Sequence, residues 1–419
     1  MSALNILQFM SRVIGILFVL CYANQFLYVL VALWRKRRKK QSPSAPIRRY
    51  AVLVSARNEE AVIGQLIESV RAQDYPAEYI TAFVVADNCT DATAQKAREA
   101  GAVVYERFDK RLVGKGYALN YLLDHIREDY GDEHFEGYFV FDADNLLAPD
   151  YVTRMNESFS GDCQIVTSYR NSKNYGDNWI SAGYGLWFLR DAAFLNEPRT
   201  RLGISAVVAG TGFLFSREVM LRWNGWPFHS LSEDTEFTVR NILEGERVGY
   251  CGEAEFFDEQ PTGLGQSFRQ RMRWVRGNAT VFLQEGWRLT RGLAGKNSLS
   301  CLDLLLSIPP AIVLTVCSIV VSVPATVLEL VGGGPILPLL VTSAFSFAAP
   351  CLLVLAAGAL TTATQWRRIR APGWKKVAYT FTFPLFMMTY IPVTIMALFR
   401  KVEWKPIQHR AAVSIQHLK

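Results

Sequence analysis

Four uncharged stretches, one near the start of the chain and three crowded into its last quarter, frame a middle with no comparable apolar run. They cover residues 13–34, 304–328, 330–366 and 377–399. The third is broken by Pro335, Pro338 and Pro350, and the last contains Pro384 and Pro392. About 20 apolar residues suffice to cross a bilayer core. The spacing therefore predicts a water-soluble domain over residues 45–295, held between an N-terminal span and a C-terminal membrane cluster. That middle is long enough for one α/β domain with a proper core.

Residues 35–40 are all Lys or Arg and follow the first stretch, whereas a secretory signal carries its charge before the apolar region. The positive-inside rule then puts the N-terminus outside and the soluble domain in the cytoplasm. Most of the net charge of +7 gathers in such flanks, at 35–40, 367–370 and 375–376. Topology and lipid headgroups explain it better than nucleic acid, for which no motif is present. Four crossings would leave the C-terminus outside, yet the tail after residue 400 is basic, which favours inside. Both placements stay open. The seven cysteines are scattered, odd in number and without a CxxC pair, and read as buried thiols of a reducing compartment.

Within the middle, short apolar runs alternate with helical periods. Strands are expected at 50–55, 80–86, 102–105 and 138–141, and helices at 59–71, 91–100 and 116–126. This order predicts a parallel sheet with helices on both faces. Ligand sites in such sheets lie at strand carboxyl ends. Three of those ends carry polar groups: Asn58-Glu59-Glu60, Asp87-Asn88 and Asp142-Ala143-Asp144. Two carboxylates two residues apart in an extended segment face the same side and can hold one hard cation such as Mg²⁺ or Mn²⁺, which can clamp a diphosphate. A turn cap using Asp142 and Asn145 is the plainer alternative. After Pro149 the alternation weakens. An aromatic helix is expected at 179–195, a tight Gly210-Thr211-Gly212 segment between apolar runs, and a helix at 233–243 whose opening acids Glu233 and Asp234 also suit a helix dipole. Residues 266–288 form an amphipathic stretch that suits either a membrane surface or ordinary core packing.

These pieces, in this order, resemble the membrane-integrated family 2 glycosyltransferases, the group that includes cellulose, hyaluronan, chitin-oligosaccharide and poly-N-acetylglucosamine synthases. Val54-Ser55-Ala56-Arg57-Asn58-Glu59-Glu60 and Asp87-Asn88-Cys89-Thr90-Asp91 resemble its nucleotide-binding loops. Asp142-Ala143-Asp144 resembles its metal motif, Ser232-Glu233-Asp234 its Thr-Glu-Asp motif with Ser for Thr, and Gln270-Arg271-Met272-Arg273-Trp274 the Q-(Q/R)-x-R-W motif of processive members.

The resemblance implies an α/β GT-A-type cytoplasmic domain (41–262) between an N-terminal helix with its basic flank (1–40) and amphipathic interface helices (263–300). A C-terminal transmembrane cluster (301–400) and a basic tail (401–419) follow, in an integral protein of the plasma (inner) membrane. It implies a metal-dependent, inverting transfer from UDP-glucose or UDP-N-acetylglucosamine to a growing β-linked polysaccharide, coupled to its translocation. The donor would meet Ala56, Glu59, Asp87, Asp142, Gln270, Arg271 and Arg273, with Lys115 as a further donor contact or an ordinary surface lysine. Asp144, helped by Asp142, would hold Mg²⁺ or Mn²⁺. Asp234, beside Glu233, would be the general base. Trp274 and Gly210-Thr211-Gly212 would meet the acceptor. The lipid bilayer is an implied partner, and a homo-oligomer is compatible with the pattern. Transfer of one sugar to a lipid carrier and a non-catalytic sugar-nucleotide-binding scaffold are the alternatives.

Overall fold

The computed structural model describes residues 3–34, 45–159, 163–333, 336–400 and 402. The basic run 35–40 and, apart from Val402, the tail 401–419 lie outside the described residues. Helix α1 (Ala3–Leu33) comes first. Strands β1 (Tyr50–Ala56), β2 (Ile80–Asp87), β3 (Val103–Arg107) and β4 (Gly137–Asp142) then pair in parallel, and α2 (Ile63–Arg71), α3 (Thr93–Glu99) and α4 (Lys115–Tyr130) cross between them. Side chains of β1 part to the two faces with the period of a strand. Ala51 and Leu53 join Leu119, Leu122 and Leu123 of α4 in one buried cluster. Val52 and Val54 join Ile63, Leu66 and Ile67 of α2 in another.

The parallel pattern ends at β4. The chain continues through β5 (Leu146–Leu147), α5 (Tyr151–Ser158), β6 (Ile165–Ser172), α6 (Trp179–Arg190), a π-helical turn (Asp191–Asn196) and α7 (Glu197–Arg201). Strand β7 (Phe213–Ser216), α8 (Arg217–Trp223), α9 (Glu233–Leu243), β8 (Val248–Asp258) and the long α10 (Leu264–Gly292) complete the domain. The eight strands lie in the order β3-β2-β1-β4-β7-β6-β8-β5. Strand β7 runs antiparallel to both β4 and β6, so the sheet is mixed rather than parallel throughout. The excursion through α6 and α7 returns the chain beside the carboxyl end of β4, where Phe213 pairs with Val140 and β7 can only run backwards. That return delivers Gly210-Thr211-Gly212 to the edge where the polar strand ends gather.

Five helices follow: α11 (Ser298–Ser307), α12 (Pro309–Val331), α13 (Ile336–Thr364), α14 (Gly373–Met388) and α15 (Tyr390–Phe399). Among the described residues three lengths of helix, Ala3–Leu33, Ser298–Val331 and Gly373–Phe399, are long and apolar enough to cross a membrane, against the four stretches expected. The stretch 330–366 falls mostly on α13, a 29-residue helix with many side chains between 336 and 347 outside the described residues; its described apolar length is Ala348–Thr364. Helix α6 is apolar all round because it is enclosed. Ile180, Tyr184 and Phe188 share a cluster with Phe383 and Phe386 of α14. The Phe386 ring lies against Gly183, where an added Cβ would come within 2.3 Å of it.

A buried polar network fastens α1 to the rest. Asp303 of α11 accepts hydrogen bonds from Tyr28 Oη (2.6 Å), Asn24 Nδ2 (3.1 Å) and Arg199 Nε (2.9 Å). Arg201 Nη1 donates to the carbonyl of Val31 at the end of α1 (2.9 Å). Both charges of the Arg199–Asp303 pair are buried, so removing one strands the other. Asp303→Ala should therefore cost about 3–5 kcal/mol of stability. Asp303→Asn, which still accepts from Tyr28, should cost less. Thermal unfolding in detergent reads this directly, and equal melting of wild type and Asp303→Ala would remove the network from the account of stability.

Candidate functional site

At the carboxyl ends of β1 and β2 the chain turns through left-handed asparagines, Asn58 (φ 59°) and Asn88 (φ 53°), which tolerate that conformation. The two loops then bind each other. Thr90 N–H donates to Asn58 Oδ1 (2.8 Å), Ala92 N–H to Glu60 Oε2 (3.0 Å), and Glu59 N–H to Thr93 Oγ1 (2.7 Å). Cys89 Sγ bonds the Ala56 carbonyl (3.4 Å). Ala56, Glu59 and Asp87 thus share one wall. Asp87 is buried and held by Arg107 Nη1 (2.6 Å), a partner at the end of β3 that no sequence motif announced.

The β4 end builds the next wall. Asp142 N–H donates to Asn145 Oδ1 (3.1 Å) and to Thr211 Oγ1 (2.9 Å), and Thr211 Oγ1 itself donates to Asn145. The plainer turn-cap expectation is therefore realised at Asn145. Asn145 caps the turn, while the Asp142 side chain stays 40% exposed and pairs with Lys115. Lys115 Nζ also reaches the Gly210 carbonyl (2.7 Å), so it is no free surface lysine. Asp144 is buried, one oxygen accepting from Glu259 N–H (2.7 Å). Lys173 lies near it. Burial lowers the Lys173 pKa, against the negative charges of Asp144, Glu259, Asp258 and Glu59. Asp258 is raised by burial, and its pair with Arg170 (Nε–Oδ2 2.6 Å) opposes the rise. Lys173, Asp258 and Arg170 lie on β6 or next to β6 and β8, where nothing in the linear pattern marks them.

Glu233 and Asp234 open α9 on the far side of Gly210. A Cβ added at Gly210 would come within 3.6 Å of Asp234 Oδ2, and Gly210 holds φ at +79°, where a side chain is strained. Gly212 is similarly fixed, since a Cβ there would meet the Phe256 ring at 2.1 Å. Burial pushes the Glu233 carboxyl up to about 7; the charge of Asp234 adds to the rise, and Lys115 and Arg273 oppose it. Burial also raises Asp234, against its hydrogen bond from Thr235 N–H and the same two cations. Helix α10 brings Arg273 here by close packing, with Gly277 set against Ser232, where a Cβ would lie 2.2 Å from Oγ. Arg273 Nε and Gln270 Oε1 are buried with no hydrogen-bond partner among the described residues. Such orphaned groups call for a ligand or water.

Arg271 is placed elsewhere, contrary to the sequence expectation. It is fully buried on the opposite side of α10, bonding Thr389 Oγ1 (2.6 Å) and lying over the rings of Phe386 and Tyr390. Residues two apart on a helix do not share a face, so Arg271 and Arg273 cannot both reach one phosphate. Trp274 is half-buried, edge-on to Tyr184 (centroids 5.8 Å) and Phe188 (6.2 Å). Beside the site, Thr211 and Thr235 form one end of a cavity of about 200 Å³ that runs between β6, the π-turn and the end of α11.

Residues 46–277 match the family described as "Glycosyltransferase like family 2". Among curated proteins the chain is similar to a beta-monoglucosyldiacylglycerol synthase of Synechocystis sp., 26% identical over 270 residues (63% of this chain, 55% of that protein). It is similar to a probable glycosyltransferase, YdaM, of Bacillus subtilis, 26% identical over 287 residues (62% and 61%). It is also similar to the poly-beta-1,6-N-acetyl-D-glucosamine synthase of Staphylococcus aureus, 23% identical over 238 residues (56% and 55%). The matches span little more than half the length of these relatives. Among solved structures, the mannosyltransferase PcManGT from Pyrobaculum calidifontis, in complex with GDP-Man and Mn²⁺, shares the fold. The TM-score is 0.60 and the identity 17%, over 93% of this chain and 99% of that one. With its family domain running from residue 46 to residue 277, over half of the chain, the protein is a member of glycosyltransferase family 2.

Proposed function

We propose that the protein moves a hexose, glucose or N-acetylglucosamine, from a UDP-sugar to a hydroxyl of a membrane-borne acceptor, with inversion at the anomeric carbon. The observation that carries this reading is the convergence on Gly210. Lys115 ties its carbonyl to Asp142 on one side, and Asp234 abuts it on the other. A cation-binding carboxylate and a base with a raised pKa thus flank one short stretch of bare backbone. The wall of Ala56, Glu59 and Asp87 suits a nucleoside, and Gln270 and Arg273 offer unpartnered polar atoms to the donor. The acceptor oxygen bonds to the anomeric carbon as the bond to the UDP β-phosphate oxygen breaks. The bonding pair leaves with UDP, and the hydroxyl proton passes to Asp234.

Asp142 and Asp144 supply hard carboxylate oxygens that fit Mg²⁺ or Mn²⁺. Among the described residues no three His, Cys, Asp or Glu side chains form a closed cage, so donor phosphates and water would complete the shell. A bound divalent cation would offset charge on the departing diphosphate, and the Mn²⁺ in the PcManGT complex supports such an ion here. A growing β-linked polysaccharide, translocated as it forms, is the second reading, favoured by the Gln270–Trp274 motif. The packing of Trp274 against Tyr184 and Phe188 favours the shorter acceptor, because it gives that tryptophan a structural task.

Three outcomes test these readings. Asp144→Asn and chelation by EDTA should each abolish UDP release while the protein stays folded; full turnover with either would remove the metal. The rate should fall toward acid pH, with a midpoint above the usual aspartate range, because burial raises the Asp234 carboxyl and its protonation removes the base. Glu233→Gln removes the neighbouring charge that disfavours ionised Asp234, so the midpoint should move to lower pH; an unmoved midpoint assigns the titration elsewhere. Trp274→Ala should lower the yield of folded protein with product size unchanged, and shortened products from equal amounts of folded enzyme would favour the polymer.

A further inference from the structure

The transfer step drawn above leaves the cavity beside Thr211 and Thr235 unexplained. Its far wall is Leu304, Ser307 and Ile308, from a length of helix apolar enough to cross a membrane. It therefore lies between Thr235, the neighbour of Asp234 in the chain, and α11, which runs on into the apolar α12.

Three charged side chains line the cavity, and each already has an opposite charge of its own. Arg170 is held by Asp258 (Nε–Oδ2 2.6 Å) and donates Nη1 to the Ala209 carbonyl (2.9 Å). Arg199 is held by Asp303 (2.9 Å), and Asp191 by Arg190 (3.1 Å). No surplus cation faces the space. A phosphate monoester brings between one and two negative charges and requires such a surplus when it leaves water. Near the Thr211 end the charges of Glu233 and Asp234 are opposed by Lys115 and Arg273, which are already engaged there. The other polar lining is neutral: Thr235 donates to Asn278 Oδ1 (3.0 Å), Asn196 is bound to Val207, and Ser307 accepts from Arg199 (3.4 Å), so the Asn278 amide N–H groups and the Ser307 hydroxyl proton are what it has to give, between apolar Leu304 and Ile308.

We propose that this cavity seats the uncharged polyol headgroup of a membrane lipid, a glycosyl or glyceryl group, and presents its hydroxyl to Asp234. The inference rests on the glycosyltransferase reading above and names its acceptor. A hydroxyl carries a proton that must be removed, which gives a carboxylate base its purpose; a lipid phosphate oxygen arrives already deprotonated and needs none. The new bond joins that headgroup oxygen to the anomeric carbon, its proton goes to the Asp234 carboxylate, and UDP departs with the electron pair.

The test reads lipid retention rather than turnover. Full-length protein is taken from vesicles holding equal amounts of monoglucosyl-dioleoylglycerol and a polyprenyl phosphate in phosphatidylcholine, and bound lipid is counted by native mass spectrometry. The glucosyl lipid should be retained at least about tenfold over the phosphate, the ratio expected when one charge is left without a partner. Ala192→Phe, which fills the cavity from the π-turn, should reduce that retention about tenfold at unchanged melting temperature. Ser307→Leu, a smaller change on the opposite wall, serves if the first variant unfolds. Equal retention of both lipids, preference for the phosphate, or undiminished retention in a folded cavity variant overturns the proposal. UDP binding to the wild type is measured alongside by calorimetry. Its absence would sink the transferase reading whatever the lipid result, whereas UDP binding without the lipid preference sinks only this inference.

Discussion

The constraint on which the rest of the structure depends is the crowding of carboxylates at one edge of a sheet. Asp87, Asp142, Asp144, Glu233, Asp234 and Asp258 gather around the strand ends; Asp87, Asp144 and Asp258 are buried and the others partly so. Such a concentration of negative charge is tolerated only when cations or backbone donors answer it. Arg107 answers Asp87, Lys115 answers Asp142, Arg170 answers Asp258, and backbone N–H groups hold Asp144 and Asp234. Glu233 is the least compensated, and its carboxyl is accordingly pushed up to about 7. The site's own lysine and arginines thus offset much of that charge.

The second organising fact is that the soluble domain and the apolar helices share one packed interior. Helix α6 is buried against α14, Arg271 of α10 reaches the α14–α15 junction, and Asp303 draws α1, α7 and α11 together. One consequence is geometric. The cavity beside Asp234 takes its walls from the sheet, from the π-turn and from α11 at once, so its shape depends on how the domain is seated.

Much of this was legible in the sequence. Strand and helix periods between residues 50 and 142 match the observed elements to within a few residues, and helix 233–243 matches α9 at both ends. The polar ends of β1, β2 and β4 meet because parallel strands in register bring their carboxyl ends to one side. The antiparallel β7 was not legible, since its direction is set by where the chain returns after α6 and α7 and not by its own four residues. Arg271 was misassigned for a related reason: a motif read as a string ignores that neighbouring letters on a helix point to different faces.

The sequence by itself determined the division into apolar helices and an α/β domain, and the acidic strand and helix ends that belong to a family 2 glycosyltransferase. Those follow from local periodicity and from residue chemistry, which a linear pattern carries. Only the tertiary structure decided which cation answers which carboxylate, which arginine of α10 faces the site, and that one cavity takes its lining from Thr235, the π-turn and α11 together. These are relations between residues as much as 118 positions apart, as with Arg271 and Thr389; they exist once packing has paid the entropy of bringing distant segments together, and no local pattern encodes them.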